Sequence, residues 1–328
     1  MVTDMARRRR IHTFSHDGLT FDVRDTGPLD GPPVVLLHGF PQTSTSWDKV
    51  SELLHGDGYR TIAPDLRGYS PGARPSGRRA YATELLAEDV AALLAVVGEP
   101  VHLVGHDWGS AIGWVVAARH PDRLLSWTAV SVPHPAAFVA SMARSTQLLK
   151  SWYMGFFQLP VVPELVLARA RGVRERVLRH AGMDRDLLAR FQTEMIDGGA
   201  LTGGLGFYRA LPFSAKGLQG TVRVPTTLVW STGDVALGRA GVDLTPRHVD
   251  APYELVVLEG VSHWIPAIGF MAAAAPRIDE MDHHPEWTNV YDRVDVRLVS
   301  HDVNGVSGRD VRLAEVLDEL AGAAAGSS

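Results

Sequence analysis

The stretch GHDWGS at residues 105–110 constrains the fold more than any other part of the chain. It follows the apolar run 101–104 and precedes the small-residue segment 110–119, an order that predicts a strand, a sharp turn and a helix. Gly105 and Gly109 flank Asp107 at two positions on either side, which suits a helix passing too close to the strand for a Cβ atom. This pattern is typical of a nucleophile elbow.

The residue at the centre of the turn is Asp107. A carboxylate can attack saturated carbon without a base to deprotonate it first, so an aspartate here predicts an alkyl-enzyme ester rather than an acyl-enzyme. The alternative interpretation is an ordinary glycine-bounded turn in which Asp107 only caps the following helix.

Composition excludes several classes of function. A net charge of −5 gives no reason to expect nucleic-acid binding, and the absence of cysteine excludes disulfides, a thiol nucleophile and a thiolate metal site. No stretch of the sequence approaches the ~20 apolar residues that a membrane span needs, so we expect no membrane association. We interpret the basic run 7–10 as a solvated N-terminal segment and expect a soluble, cytoplasmic protein.

Apolar patterning predicts an α/β fold with a mostly parallel sheet and helices on both faces. A hairpin is expected at 11–14 and 19–23 and a helix at 81–97 that ends at Gly98, while further strands are expected at 33–37, 59–64, 101–104, 124–132, 226–230 and 253–258. Between residues 133 and 222 the sequence becomes helical and rich in aromatic residues, which we interpret as a helical cap inserted over the sheet.

An ester on Asp107 turns over only if a general base, an orienting acid and an oxyanion hole are present. His263 follows the last predicted strand of the sheet and is the best candidate for the base, while Asp234 follows the preceding strand and could hold its imidazole. The predicted oxyanion hole consists of the backbone N–H groups of Phe40 and Trp108. His38 and His106 are given no catalytic role, because loop geometry accounts for them.

Residues 11–266 resemble an α/β-hydrolase of the epoxide hydrolase group. The family's oxyanion motif matches HGFP at residues 38–41, and two cap tyrosines of the family match Tyr153 and Tyr208. The resemblance implies that these phenols protonate the epoxide oxygen while Asp107 attacks carbon, giving a vicinal diol without cofactor or metal. Residues 1–132 and 223–266 would then form the hydrolase core and 133–222 its cap.

Dehalogenases are the nearest rivals, because they share the aspartate nucleophile and often an indole N–H that can hold halide, as Trp108 could. Haloalkane dehalogenases usually place asparagine where Phe40 stands, and they lack the two tyrosines. Fluoroacetate dehalogenases carry arginine after the nucleophile, where this chain has Trp108. Both differences favour an epoxide, and a catalytically silent binding protein on the same scaffold is the alternative from another class.

Residues 267–328 carry a second signature. The stretch 279–291, followed by His301 and Asp310, resembles pterin-4a-carbinolamine dehydratase. The resemblance implies that His283, His284 and His301 transfer protons, that Asp310 and Trp287 shape the site, and that a tetrahydropterin binds there. A metal site at the three histidines is the competing interpretation, which we do not favour because adjacent histidines rarely point at one ion.

The tail is an incomplete version of that family, because its first helix and first strand pair are missing where the hydrolase ends. A helix is expected at 268–282, a strand at 294–299 and a closing helix at 310–320, a small α+β segment. Three roles for the tail stay open: dehydratase activity, an oligomerisation module using an open sheet edge, and a surrogate final helix that covers the hydrolase sheet. We favour the last.

Overall fold

The computed structural model describes residues 9–214, 220–264, 286–290 and 293–297, together with residues 313, 314 and 317. Eight strands form one sheet in the order β1-β2-β4-β3-β5-β6-β7-β8, antiparallel between β1, β2 and β4 and parallel elsewhere. The strands are β1 (Thr13–His16), β2 (Leu19–Thr26), β3 (Pro33–Leu37), β4 (Arg60–Pro64), β5 (Val101–His106), β6 (Leu124–Val130), β7 (Thr226–Ser231) and β8 (Tyr253–Leu258).

The predicted strands are confirmed, with a shift at the first one. β1 begins at Thr13 rather than residue 11, because the turn at Asp17 and Gly18 sets the register and pairs Phe14 with Phe21. Both turn residues have positive φ, 50° and 73°, which suits a tight two-residue hairpin. Ile11 lies before the strand, and its N–H donates to the carboxylate of Asp25.

Helices pack on the sheet and fill the segment between β6 and β7. The described residues form α1 (Asp48–Gly56), α2 (Thr83–Val97), α3 (Trp108–Arg119), α4 (Pro135–Met142), α5 (Gln147–Lys150), α6 (Trp152–Phe157), α7 (Val162–Arg169), α8 (Arg171–His180), α9 (Arg185–Arg190), α10 (Leu201–Ala210) and α11 (Arg239–Leu244). A π-helix, Phe191–Asp197, continues α9. Helices α4 to α10 lie in the segment 133–222, where the sequence predicts a helical cap.

The central strand β3 is buried at every residue and divides the core into two parts. Val35 and Leu37 belong to the larger apolar cluster, which includes residues of α2 and α3, whereas Val34 and Leu36 pack with Trp47 in a smaller cluster beside α1. Since neighbouring side chains of a strand point to opposite faces, the two clusters lie on opposite faces of the sheet. The predicted layer of helices on both faces is therefore present.

Helix α2 ends at Gly98 as predicted, but it begins two residues later than expected. Gly98 adopts a left-handed conformation, and its N–H donates to Leu94 O, which closes the last turn. Ala82 has ψ of 138° and is not helical, so the periodic pattern that begins at Tyr81 first passes through a short 3₁₀ turn.

A buried ion pair fixes the loop after β4 to α2. Arg67 donates from Nε and Nη2 to the two carboxylate oxygens of Asp89, each at 2.7 Å, and from Nη1 to Ala80 O at 2.8 Å. Both side chains of the pair are almost completely buried. Removing one partner would leave an uncompensated buried charge, so the loop and the helix are held in one arrangement.

The described part of the tail contains two strands, β9 (Glu286–Val290) and β10 (Arg293–Arg297), which pair antiparallel with Val290 opposite Arg293. β10 overlaps the predicted strand 294–299, whereas β9 was not predicted. Leu313 and Leu317 are helical and buried four residues apart, as expected for the predicted helix 310–320. The predicted helix 268–282 lies outside the described residues.

Within the ranges that the structure describes, none of the helices has the length and apolar character needed to cross a bilayer.

We expect Gly109→Ala to lower the free energy of unfolding by about 3 kcal/mol or more, or to prevent folding. A Cβ at Gly109 would lie 2.1 Å from the carbonyl oxygen of Leu37, and neither backbone can move without breaking the sheet or α3. Denaturant unfolding monitored by circular dichroism measures the change.

Gly172→Ala in α8 is the matched control, because a Cβ there meets no atom within 4 Å. It should change stability by only about 0.5 kcal/mol, in the stabilising direction. Equal stability of the Gly109→Ala protein and the wild type would contradict the close approach.

Candidate active site

The elbow places Asp107 between β5 and α3 in a strained backbone conformation, with φ of 51° and ψ of −119°. A Cβ at Gly105 would lie 2.4 Å from the carbonyl oxygen of Gly109, and a Cβ at Gly109 would strike β3. The two glycines therefore allow strand and helix to cross at the turn, as the sequence indicated. Positive φ is costly for a residue with a side chain and is retained mainly at functional positions.

The loop after β3 brings a backbone donor to the aspartate. The N–H of Phe40 donates to Oδ1 of Asp107 at 2.7 Å. A Cβ at Gly39 would lie 2.4 Å from the same oxygen, so glycine is required for the loop to approach the carboxylate. Trp108, the second predicted donor, is the first residue of α3, where backbone N–H groups have no partner within the helix.

His38 holds this loop rather than taking part in the site. The N–H of Leu66 donates to its Nε2 at 3.0 Å, so the ring proton lies on Nδ1, which donates to Gly39 O at 3.2 Å. Burial lowers the pKa of His38, which keeps the ring neutral and able to accept from Leu66. This agrees with the purely structural interpretation drawn from the sequence.

His263 and Asp234 come from the loops after β8 and β7 and meet beside Asp107. Nδ1 of His263 lies 2.7 Å from Oδ2 of Asp234, and Nε2 lies 3.5 Å from Oδ2 of Asp107. The other oxygen of Asp234 accepts from the N–H groups of Ala236 and Leu237 at 2.7 and 2.9 Å. The acid is therefore fixed by backbone donors and in turn fixes the imidazole.

Charge is concentrated in this buried site. Burial by itself lowers the pKa of His263, but the carboxylates of Asp234 and Asp107 outweigh it and raise that pKa to about 10. Burial raises the pKa of Asp234, but His263 and the backbone donors bring it below its ordinary value. The resting site therefore holds an imidazolium between two carboxylates.

The two predicted tyrosines stand side by side in the cap. Tyr153 lies on α6 and Tyr208 on α10, with ring centroids 6.0 Å apart and ring planes at 78°. Burial, and then the charge of Asp107, raise the pKa of both phenols above the ordinary value, so both keep their protons at neutral pH. The rings of Tyr208 and Trp108 pack edge to face, with centroids 5.1 Å apart.

Glycines in α10 allow the helix to approach the sheet domain, a feature that sequence reasoning missed. A Cβ at Gly203 would lie 2.1 Å from the carbonyl oxygen of Gly68, and one at Gly204 would lie 2.8 Å from the Phe40 ring. The sequence signal that could have indicated this close approach is the group of closely spaced glycines before Tyr208. Their close approach sets the height of the Tyr208 phenol above the elbow.

A second missed feature connects the cap to the oxyanion loop. Glu194, in the π-helix, accepts hydrogen bonds from the hydroxyls of Thr43 and Thr45 at 2.9 and 2.6 Å. Arg190 donates to Thr45 O at 2.7 Å. The partners are about 150 positions apart in the chain, so no local pattern could have shown this contact.

All seven residues predicted for the hydrolase site thus occupy one region of the structure. Of the residues predicted for the dehydratase site, Trp287 lies in β9, and His283, His284, His301 and Asp310 lie outside the described residues. Among the residues that the structure does describe, no group of three or more acidic or histidine side chains could hold a metal ion.

Comparison with known proteins agrees with this fold. Residues 32–166 match the family model for the alpha/beta hydrolase fold. The chain is 34% identical over 260 residues to the AB hydrolase superfamily protein YfhM of Bacillus subtilis, covering 76% of this chain and 90% of that protein. It is 32% identical over 268 residues to Epoxide hydrolase 3 of Xenopus tropicalis, covering 76% and 71%. The chain belongs to the epoxide hydrolase group of the α/β-hydrolase family.

A solved structure supports the same family. Epoxide Hydrolase A from Mycobacterium thermoresistibile superimposes with a TM-score of 0.67 at 26% identity, covering 81% of this chain and 96% of that one. The α/β-hydrolase fold predicted from the sequence is therefore confirmed.

The C-terminal part of this epoxide hydrolase family member matches a second family. Residues 260–320 match the model for pterin 4 alpha carbinolamine dehydratase, which supports the predicted fusion. The match begins before residue 267, where the sequence placed the start of the tail, and it includes His263. The chain thus passes from one family to the other within the loop that carries the imidazole.

We expect the His263 imidazole to stay protonated well above pH 6.5, its ordinary pKa, and to lose its proton near pH 10. Because the folded-state pKa is raised, its contribution to stability is complete below pH 6.5 and is lost as pH rises towards 10. NMR of the imidazole N–H resonances, assigned with His263→Gln, measures the titration.

Asp107→Asn removes one of the two carboxylates that face the ring, so the pKa of His263 should fall in that variant. Titration of wild-type His263 at its ordinary pKa would contradict the charge arrangement.

Proposed function

We propose that this chain hydrolyses epoxides to vicinal diols through a covalent ester on Asp107. The observation that carries the proposal is the position of Asp107, with Phe40 N–H on one carboxylate oxygen and His263 beside the other. The protonated phenols of Tyr153 and Tyr208 lie close enough to Asp107 for its charge to raise the pKa of both. The substrate is a small-molecule epoxide, and the chemistry needs neither a cofactor nor a metal.

The first step is attack by Oδ2 of Asp107 on an epoxide carbon. Oδ1 accepts the hydrogen bond from Phe40 N–H, so Oδ2, which lies 3.5 Å from Nε2 of His263, is the oxygen that attacks. The C–O bond of the ring breaks, its electron pair stays on oxygen, and that oxygen takes a proton from Tyr153 or Tyr208. An alkoxide is a much stronger base than a phenolate, so this transfer is favourable even for a phenol with a raised pKa.

Ester formation also prepares the base for the second step. Once Asp107 is esterified it carries no charge, so His263 loses one of the two carboxylates that raise its pKa. The imidazolium of His263 then gives its proton to the phenolate, which restores the tyrosine and leaves a neutral imidazole.

The neutral imidazole removes a proton from water, and the resulting hydroxide attacks the ester carbonyl. Phe40 N–H, with the N–H of Trp108, stabilises the negative charge that develops on Oδ1. Collapse of the tetrahedral intermediate breaks the bond to the diol oxygen, and this oxygen takes the proton of the hydroxyl group that was added to the ester carbon. Asp107 returns as a carboxylate beside imidazolium, so charge and protons balance.

The site favours an epoxide over an alkyl halide. A halide leaves without a proton, so the two phenols would have no role in its departure. Phe40 provides only its backbone N–H, because its side chain has no polar group.

Single turnover of styrene oxide in heavy-oxygen water should label the carboxylate of Asp107, because water attacks the ester at that carbon. Mass spectrometry of the elbow peptide after rapid quenching measures the label. His263→Gln should form the ester at close to the wild-type rate and then accumulate it, since the base is missing.

Asp107→Asn is the control for specific labelling and should form no ester. Diol formation without label on Asp107 would rule out the covalent route, and faster turnover of a haloalkane than of any epoxide would favour the dehalogenase alternative.

For residues 267–328, the match of 260–320 to the dehydratase family favours a second candidate function. By analogy with that family, His283, His284 and His301 would transfer protons as the 4a-hydroxyl of a tetrahydropterin leaves as water. Imidazole suits this work because its pKa lies near neutrality. Asp310 and Trp287 would shape that site.

The two activities can be separated in the full-length chain. If the tail is active, His284→Ala should abolish dehydration of a carbinolamine pterin and leave diol formation unchanged. Asp107→Asn should have the opposite effect, so each variant is the control for the other.

Wild-type protein without dehydratase activity would leave a structural or oligomerisation role for the tail. Size-exclusion chromatography with light scattering then tests the second of these.

A further inference from the structure

We propose that His106 is a positioning residue for His263, acting with Ser131 as a clamp on the backbone carbonyl of the base. The inference rests on the proposed function, because it concerns the step in which His263 activates water. It assigns a role to the residue immediately before the nucleophile, which the sequence alone had left to loop geometry.

The clamp consists of two donors on one oxygen. Nε2 of His106, at the end of β5, lies 3.0 Å from His263 O, and Oγ of Ser131, just after β6, lies 3.5 Å from the same atom. A carbonyl can only accept, so His106 carries its proton on Nε2. Burial and the neighbouring His263 lower the pKa of His106 to about 4, so the ring is neutral at physiological pH.

The position of the base depends on this contact because the sheet does not reach it. β8 ends at Leu258, five residues before His263. Asp234 fixes one nitrogen of the ring, but a ring held at one atom can still tilt unless its backbone is held as well. The clamp holds the backbone of His263 as well, and its main donor, His106, directly precedes Asp107 in the chain. It therefore fixes the base relative to the nucleophile, and the two must act on the same water molecule.

The clamp holds the residue at which the chain changes from one family to the other. The dehydratase-family match begins at residue 260, so the base lies where the chain changes from hydrolase to tail. His106 is the last residue of β5 and Ser131 follows β6, so both belong to the hydrolase part of the chain. Within the described residues, the contacts that hold the carbonyl of His263 therefore come from the hydrolase part.

Packing around His106 allows the hydrogen bond to be removed without removing the ring. The His106 ring lies 5.0 Å from the His263 ring and 6.2 Å from Trp264. Phenylalanine keeps an aromatic ring in this space and has no donor. Glutamine loses the ring but can place an amide N–H near the position of Nε2.

The test separates the two chemical steps by rapid-quench single turnover of styrene oxide, with mass analysis of the elbow peptide over time. In His106→Phe, ester formation should stay within about twofold of wild type, while ester hydrolysis should slow by about tenfold, so the ester accumulates. His106→Gln should restore most of the hydrolysis rate. Ser131→Ala should slow hydrolysis less than His106→Phe, because its contact is longer.

His102→Phe is the matched control. His102 lies on the same strand, and its Nδ1 bonds to Ser126 on β6 at 2.8 Å, but it has no contact with His263. Neither step should change in this variant. A purely structural role of His106 would lower both steps together, and that result, or wild-type hydrolysis in His106→Phe, would overturn the proposal.

Failure of the proposed function gives a different result. Wild-type protein that forms diol without an Asp107 ester would overturn the covalent mechanism itself. An ester in the wild type with unchanged hydrolysis in His106→Phe would overturn only the clamp.

Discussion

The close crossing of α3 over the ends of β3 and β5 is the constraint on which the active-site region depends. The crossing is possible because Gly105 and Gly109 have no Cβ. A Cβ atom at either position would lie within about 2.4 Å of a backbone oxygen. The crossing forces Asp107 into positive φ and directs its carboxylate to the N–H of Phe40. Backbone close packing thus determines where the candidate nucleophile lies, before any side-chain interaction contributes.

The same crossing creates an electrostatic problem that the surrounding loops solve. Two carboxylates are held near one imidazole in a buried site, and an isolated buried charge is costly. Phe40, Ala236 and Leu237 supply backbone N–H donors to the carboxylates. The two carboxylates favour the protonated imidazole, which neutralises part of their charge, and this is why the pKa of His263 is raised. In the proposed reaction, esterification of Asp107 disturbs this balance, and the imidazole becomes a base as a result.

Local sequence patterns predicted the elements that depend on local forces. The run that forms β3 was predicted at its observed bounds, because continuous apolar residues specify a buried strand. The bounds of β8 were also predicted, although only Leu258 in it is buried. The start of β1 was wrong by two residues, since a turn rather than hydrophobicity sets its register. Asp107, Asp234 and His263 were predictable because each follows a strand at the same edge of the sheet. Tyr153 and Tyr208 lie on helices, and only the resemblance to a family indicated them.

Contacts between distant parts of the chain could not be predicted in this way. Glu194 meets Thr43 and Thr45, and His106 meets His263, only because the fold brings them together. In isolation, Glu194 looks like a solvated charge on a cap helix and His106 like a residue of a tight turn. Their roles lie in partners that no periodicity or motif specifies.

The clamp also bears on how one chain could join two families within a single loop. A new C-terminal segment is tolerated only if it leaves the base in place, and the last element of the hydrolase sheet ends before the base. Contacts from β5 and from the residue after β6 hold the carbonyl of His263, and Asp234 holds its ring. These partners all precede residue 260, where the second family match begins. Among the described residues, the groups that position the base thus come from the hydrolase part, which is compatible with a change of family directly after it.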